Sequence, residues 1–228
     1  MKHYRTRAVA AALFAASIWI GGAPSFAQRQ AGPRVEISFA AAARGGPVTG
    51  MVYLAMSREN RTSPIEQTDP TGVPLFSKFV EQLQPGALVT LGADDRGHPV
   101  RSLRDIPAGE YWVQPFVNVY TRFARADGHT VWMHMDQWEG QNWKRSPGNL
   151  YGDPVRVRFD PASAVPIRLV ADKAIPPIAV PADTSMVKHI RIQSDILTKW
   201  WGHPIFVGAT ILLPKDYDTH PDVRYPVN

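Results

Sequence analysis

Cysteine is absent from all 228 residues, so disulfides cannot stabilise this chain and its stability must come from burial of an apolar core. A large charge excess is also missing. The first 27 residues hold three of the 25 Lys and Arg residues, and the remaining 25 − 3 = 22 face 20 Asp and Glu residues. This near balance gives little support to nucleic-acid binding. Long helical patterns are scarce, whereas 21 prolines and 17 glycines favour a mainly β chain.

Residues 1–27 have the pattern of a secretory signal peptide. Three basic residues are followed by an apolar run at residues 8–20 and by small residues at Ser25 and Ala27. The run is shorter than the roughly 20 residues of a membrane-spanning helix, and a lipid anchor at the cleavage point would need a cysteine. We expect cleavage before Gln28, a secreted or periplasmic protein, and no membrane attachment afterwards.

Residues 34–160 carry a series of strand patterns separated by breakers. Residues 58–74 contain Pro64, Pro70, Gly72 and Pro74 and predict a loop. Residues 75–83 predict a short helix or a packed loop. Residues 155–159 alternate apolar and basic side chains, which predicts an edge strand protected by arginines; a basic binding strip is the alternative. Strands are predicted at residues 35–39, 50–57, 87–91, 110–116 and 155–159.

Residues 102–114 read SLRDIPAGEYWVQ and contain a tight turn at Pro107-Ala108-Gly109. The run resembles the Leu-x-x-Ile/Leu-Pro-x-Gly-x-Tyr-x-Val signature of carboxypeptidase-regulatory-like and transthyretin-like β-sandwich domains. The resemblance implies an Ig-like β-sandwich of roughly seven to nine strands over residues 34–160.

Residues 128–154 concentrate three of the seven tryptophans and two of the seven histidines in one window. If residues 130–138 are extended, alternation places four polar and aromatic side chains on one face of the strand. These are Trp132, His134, Asp136 and Trp138, and Trp143 follows nearby.

Three interpretations of this face stay open. The tryptophans can cover the sandwich or a neighbouring domain, with His134 and Asp136 as hydrogen-bonded partners. They can instead form a platform for a carbohydrate or another small molecule. Metal binding through His134, Asp136 and either Glu139 or His129 is the third, although strand parity places His129 and His134 on opposite faces. We assign no metal ligand, no cofactor and no catalytic residue.

Residues 161–186 are rich in proline, which lacks the donor that a central strand needs, and predict a linker with one embedded strand at residues 167–170. In residues 187–228, the sequence predicts a strand at 188–193, a helix capped by Ser194 and ended by Gly202, and an apolar strand at 204–213.

The end of the chain continues through a Leu-Pro step, a Tyr-Asp turn and Tyr225-Pro226-Val227. This order resembles the lead-in of the esterase D-like (putative esterase) branch of the α/β-hydrolases. The resemblance implies that a Gly-x-Ser-x-Gly nucleophile motif and an oxyanion loop lie further on. The sequence contains no Gly-x-Ser-x-Gly.

We therefore expect the non-catalytic N-terminal region of a secreted esterase-like hydrolase, in which an Ig-like sandwich precedes the first elements of an incomplete α/β-hydrolase domain. Ester hydrolysis is expected only of a full-length relative, and the sandwich would dock to the hydrolase domain. The alternative is an exported module that binds a carbohydrate or a partner, and a metal-dependent enzyme comes third.

Overall fold

Strands dominate residues 32–226, the part of the chain that this computed structural model describes. The predicted signal peptide lies outside the described residues. No helix among these residues is long and apolar enough to cross a membrane. The strands are β1 (Val35–Phe39), β2 (Val48–Ser57), β3 (Leu75–Leu83), β4 (Val89–Leu91), β5 (Gly97–His98), β6 (Gly109–Val119), β7 (Thr121–Ala124), β8 (Thr130–Met133), β9 (Leu150–Tyr151), β10 (Val155–Phe159), β11 (Ile167–Ala171), β12 (Lys173–Ala174), β13 (Val187–Gln193) and β14 (Phe206–Leu212), and the α-helix is α1 (Asp195–Trp201).

The strands form two larger sheets and two hairpins. A seven-stranded sheet has the order β12-β9-β6-β2-β3-β5, with β10 paired to the first half of β6. A three-stranded sheet has the order β11-β1-β4, in which β11 runs parallel to β1. The hairpins are β7-β8 and β13-β14.

The main core lies where these two larger sheets contribute side chains to one cluster. Alternate residues of β2, including Val52, Leu54 and Met56, are fully buried in this cluster together with Ile37 and Phe39 of β1. Each such side chain stabilises the fold by about 1.5–3 kcal/mol relative to an exposed one. The sequence prediction of a mainly β protein is confirmed, and the shared core is consistent with a β-sandwich.

The other face of the seven-stranded sheet carries a second, smaller cluster. Tyr53 and Ala55 on β2 point opposite to the main core because side chains alternate along a strand, and Phe116 on β6 lies beside them. Ile65 and Trp143, from two different loops, pack on this face. We call it the outer face, and it supports the candidate site.

Residues 75–83 correct one expectation, because they form strand β3 rather than a helix or a loop. Their apolar residues recur with spacings of about four, which resembles a helical stripe. Antiparallel pairing with β2 over nearly its whole length overrides that local pattern.

The extended segment expected at residues 130–138 is also shorter than predicted. Strand β8 ends at Met133, and residues 134–137 continue as a loop. The strand therefore does not set one common face for the four candidate side chains.

Several other elements agree with the sequence. The strand expected inside the Pro-rich segment is β11, and its Leu169 and Ala171 enter the main core. Helix α1 begins after Ser194, whose Oγ accepts the Leu197 N–H, and it ends at Gly202 with a left-handed φ of 61°.

Candidate ligand-binding pocket

A chain of buried and partly buried side-chain hydrogen bonds connects the loop after β8 to the outer face. Asn149 Oδ1 accepts the Val119 N–H (2.8 Å), so its Nδ2 donates to Asn118 Oδ1 (3.1 Å). This fixes Asn118 Oδ1 as an acceptor that faces His134 Nδ1 at 3.1 Å. With the amide in this orientation His134 Nδ1 donates to Asn118, and His134 Nε2 lies 2.6 Å from Glu139 Oε1.

The pair of His134 and Glu139 holds the loop against the sheet. Their side chains are only 15% and 2% exposed, and Glu139 Oε2 also accepts the Gln137 N–H. A buried imidazole–carboxyl contact stabilises the loop only while both partners are present, because removal of one partner leaves a buried polar group unpaired. The pair therefore holds residues 134–139 in place against the sheet.

Asp136 orients the next residue, Trp138. Asp136 Oδ1 accepts the Trp138 N–H (2.8 Å), and Oδ2 accepts the Gln141 N–H (3.2 Å) and side-chain amide (3.1 Å). Partial burial acts to raise the pKa of Asp136, but these bonds and one with Glu139 outweigh it and hold the pKa below its usual value. Trp138 has a left-handed φ of 82°, a conformation that costs about 1–3 kcal/mol and is found where the surroundings enforce it.

The Trp138 side chain lies between the loop and the C-terminal hairpin. A Cβ at Gly208 of β14 would overlap its ring, so glycine at this position makes the contact possible. The guanidinium of Arg191 lies 5.5 Å from the ring centroid, within cation–π range. Even so, 48% of the Trp138 surface remains exposed.

Trp138 and Glu139 form part of the lining of an open pocket of about 720 Å³ on the outer face. This volume lies within the range of small-molecule sites. Apolar lining comes from Phe116, Tyr151 and residues 175–178, and polar lining includes Ser63 and Gln114. The charged residues that line it are Glu66, Glu139, Lys144, Arg145 and Asp153.

Most of these charges already have partners. Glu139 bonds to His134, Asp153 accepts two hydrogen bonds from Lys173 Nζ, and Lys144 Nζ donates to the Thr68 carbonyl.

Glu66 and Arg145 are different. Both are exposed, and within residues 32–226 neither side chain forms a hydrogen bond, an ion pair or a cation–π contact. The pocket therefore presents one unpaired carboxylate and one unpaired guanidinium.

No family model, curated protein or solved structure matches this chain.

The five residues singled out by the sequence have different places around the pocket. Trp138 lines it, whereas His134 and Asp136 hold the loop that carries Trp138. Trp143 packs next to the pocket on the outer face, where its ring stacks on Tyr53 (4.8 Å between centroids, 28°) and meets the lining residue Phe116 edge-on (5.4 Å, 75°). Trp132 sits on β8 opposite Arg122 of β7 and does not line the pocket.

The metal interpretation finds no supporting cluster in residues 32–226, where no group of three or more His, Asp or Glu side chains is arranged to hold an ion. His129 contacts Asp127 (3.3 Å) rather than His134.

Glu66, Arg145 and Tyr151 are pocket residues that the sequence reasoning missed. Glu66 belongs to the loop at 58–74, and Arg145 ends the short 3-10 turn Trp143–Arg145. Neither segment has a motif that identifies a ligand contact. The only usable signal was that Arg145 directly precedes the Ser-Pro-Gly-Asn turn in the tryptophan-rich window.

Proposed function

We propose that this chain is a non-catalytic binding module, an Ig-like β-sandwich that holds a small-molecule ligand in the pocket on its outer face. The observation that carries the proposal is the pocket itself, in which a half-exposed tryptophan and an apolar floor adjoin two charged groups without partners. Ligand sites typically combine a mostly apolar lining with a few polar groups of this kind.

The arrangement of the polar groups favours binding over catalysis. His134 and Asp136 use their hydrogen-bonding capacity to hold the loop. Nucleophilic catalysis would need a serine in contact with a positioned base. In residues 32–226 no serine side chain forms a hydrogen bond with a histidine, and the buried Ser146 Oγ accepts one from the Gln137 side chain instead.

A fragment screen followed by amide NMR of the chain from Gln28 tests this function. We expect small ligands to shift resonances of residues 134–145 and 63–66, and Trp138→Ala to abolish those shifts. Hits that map elsewhere, or no perturbation in these two segments, would contradict the proposal.

A second candidate is the accessory region of a secreted esterase-like hydrolase. Its support is the C-terminal hairpin, because all seven residues of β14 are exposed and β14 pairs only with β13 among the described residues. The hairpin and α1 also contact the β7-β8 hairpin and the loop after it, through Trp138 on Gly208 and through an edge contact of Trp201 with Phe123 (5.6 Å, 71°). These contacts support the proposal that β13, α1 and β14 begin a hydrolase-like α/β domain.

Two assays test this second candidate. The purified chain should not hydrolyse p-nitrophenyl acetate, and turnover that a serine-directed inhibitor abolishes would contradict it. Residues 1–27 fused to a periplasmic reporter should direct its export, and retention of the reporter in the cytoplasm would refute the proposed localisation.

A further inference from the structure

We propose that the pocket recognises a neutral sugar ring of an oligosaccharide. In this proposal Trp138 is the stacking surface, and Glu66 and Arg145 form hydrogen bonds with the hydroxyl groups of the sugar. This inference rests on the proposed binding function and names the ligand class of the same pocket.

Trp138 supplies the surface on which a sugar ring would stack. It lines the pocket and keeps 48% of its surface exposed, although its backbone is held by Asp136 and its ring is supported by Gly208 and Arg191. An exposed ring whose orientation is fixed in advance loses little entropy on binding. The C–H face of a sugar is apolar and flat enough to cover such a ring.

The two unpaired charges define what surrounds that ring. Glu66 accepts hydrogen bonds only, whereas Arg145 donates only, in a fork that suits two neighbouring oxygens. A hydroxyl group both donates and accepts, so one ring with several hydroxyls can satisfy both residues.

The charges of the pocket argue against ligands that carry a net charge of either sign. An anion attracted to Arg145 would meet the carboxylate of Glu66 in the same pocket, and a cation attracted to Glu66 would meet Arg145. Of the other charged lining residues, Glu139 contacts His134, Asp153 contacts Lys173, and Lys144 lies near the carboxylate of Asp69. The lining therefore holds no large excess of one sign that a ligand with a net charge would balance.

Calorimetric titration of the whole mature chain tests the ligand class. The ligands are neutral gluco-, xylo- and manno-oligosaccharides, oligogalacturonates and short zwitterionic peptides. We expect binding of a neutral oligosaccharide whose affinity changes little between low and high salt, because no net charge is neutralised.

Matched variants locate the binding. Trp138→Ala, Arg145→Ala and Glu66→Gln should each weaken the affinity by about tenfold or more, and Trp138→Phe should keep most of it. Arg158→Ala removes an exposed arginine on β10 that does not line this pocket, and it should leave affinity unchanged. Far-UV circular dichroism verifies that each variant is folded.

The outcomes separate this inference from the proposed function. Preferential binding of an oligogalacturonate or a peptide, lost in Trp138→Ala, would overturn the ligand class and leave the pocket as the binding site. Oligosaccharide binding that Trp138→Ala and Arg145→Ala both leave unchanged would overturn the assignment of the sugar to this pocket. Absence of binding for every class, together with no ligand-induced NMR shifts at residues 134–145, would overturn both proposals.

Discussion

Replacement of Trp143 by alanine tests whether the outer face supports the pocket. The Trp143 ring contacts Tyr53 and Phe116, whereas the backbone carbonyl of Trp143, which the substitution retains, accepts a hydrogen bond from Asn149 Nδ2 (2.7 Å). Trp143 also starts the short turn that carries Arg145 to the pocket. The substitution should therefore reduce both the free energy of unfolding and ligand affinity.

The expected loss of stability follows from these contacts. Trp→Ala changes in protein cores cost about 3–5 kcal/mol, and each ring pair contributes about 0.5–1.5 kcal/mol within such totals. Trp143 is partly exposed, so we expect a value near the lower end, about 3 kcal/mol. Trp143→Phe keeps a ring against Tyr53 and Phe116 and should lose less than half as much.

Urea unfolding followed by far-UV circular dichroism measures this loss. With a urea dependence of about 1–3 kcal/mol per molar, a loss of about 3 kcal/mol lowers the midpoint by roughly 1–3 M. A midpoint lowered by less than about 0.3 M, with an unchanged slope, would refute the view that Trp143 anchors this face. Full ligand affinity in a destabilised Trp143→Ala would refute its role in placing Arg145.

Three further predictions concern single residues. Asn149→Ala removes a buried amide that bonds the Trp143 carbonyl and should cost about 1–3 kcal/mol in urea unfolding, because its partners are left unsatisfied; a loss below about 0.5 kcal/mol would contradict the network. Gly208→Ala should displace the Trp138 ring and shift tryptophan emission, and the double change with Trp138→Phe should abolish that shift; an unchanged spectrum in the single variant would contradict the contact. Burial raises the pKa of Tyr53 from 10.0 to about 12, so its contribution to stability is complete below pH 10 and is lost as pH rises toward 12. Burial also raises the pKa of Tyr120, so ultraviolet titration should show late tyrosine ionisation whose amplitude falls by one tyrosine in Tyr53→Phe; an unchanged late amplitude in that variant would refute the assignment.

Much of the fold was predictable from local sequence because its signals are local. The alternation in residues 35–39 and 155–159 matches β1 and β10, and the cap at Ser194 and the glycine at 202 match the ends of α1. The prediction for residues 75–83 was wrong, because the spacing of their apolar residues resembles that of a helical stripe. Only the hydrogen-bonded pairing with β2 makes this segment a strand.

The candidate site was less predictable, because its parts are far apart in the chain. The sequence by itself identified Trp138, His134, Asp136 and Trp143 as a dense group of chemically capable side chains, since composition and spacing are visible locally. It could not show that β8 ends at Met133. Because of this early end, Trp138 lines the pocket, His134 and Asp136 hold the loop, and Trp143 packs on the outer face.

Only the tertiary structure decided which residues surround one cavity. Glu66 and Arg145 are 145 − 66 = 79 positions apart, and they line the same pocket because their loops cover the same outer face of β2 and β6. Which face a loop covers depends on the pairing of distant strands and on the burial that pairing allows, and neither is encoded in the residues of the loop itself.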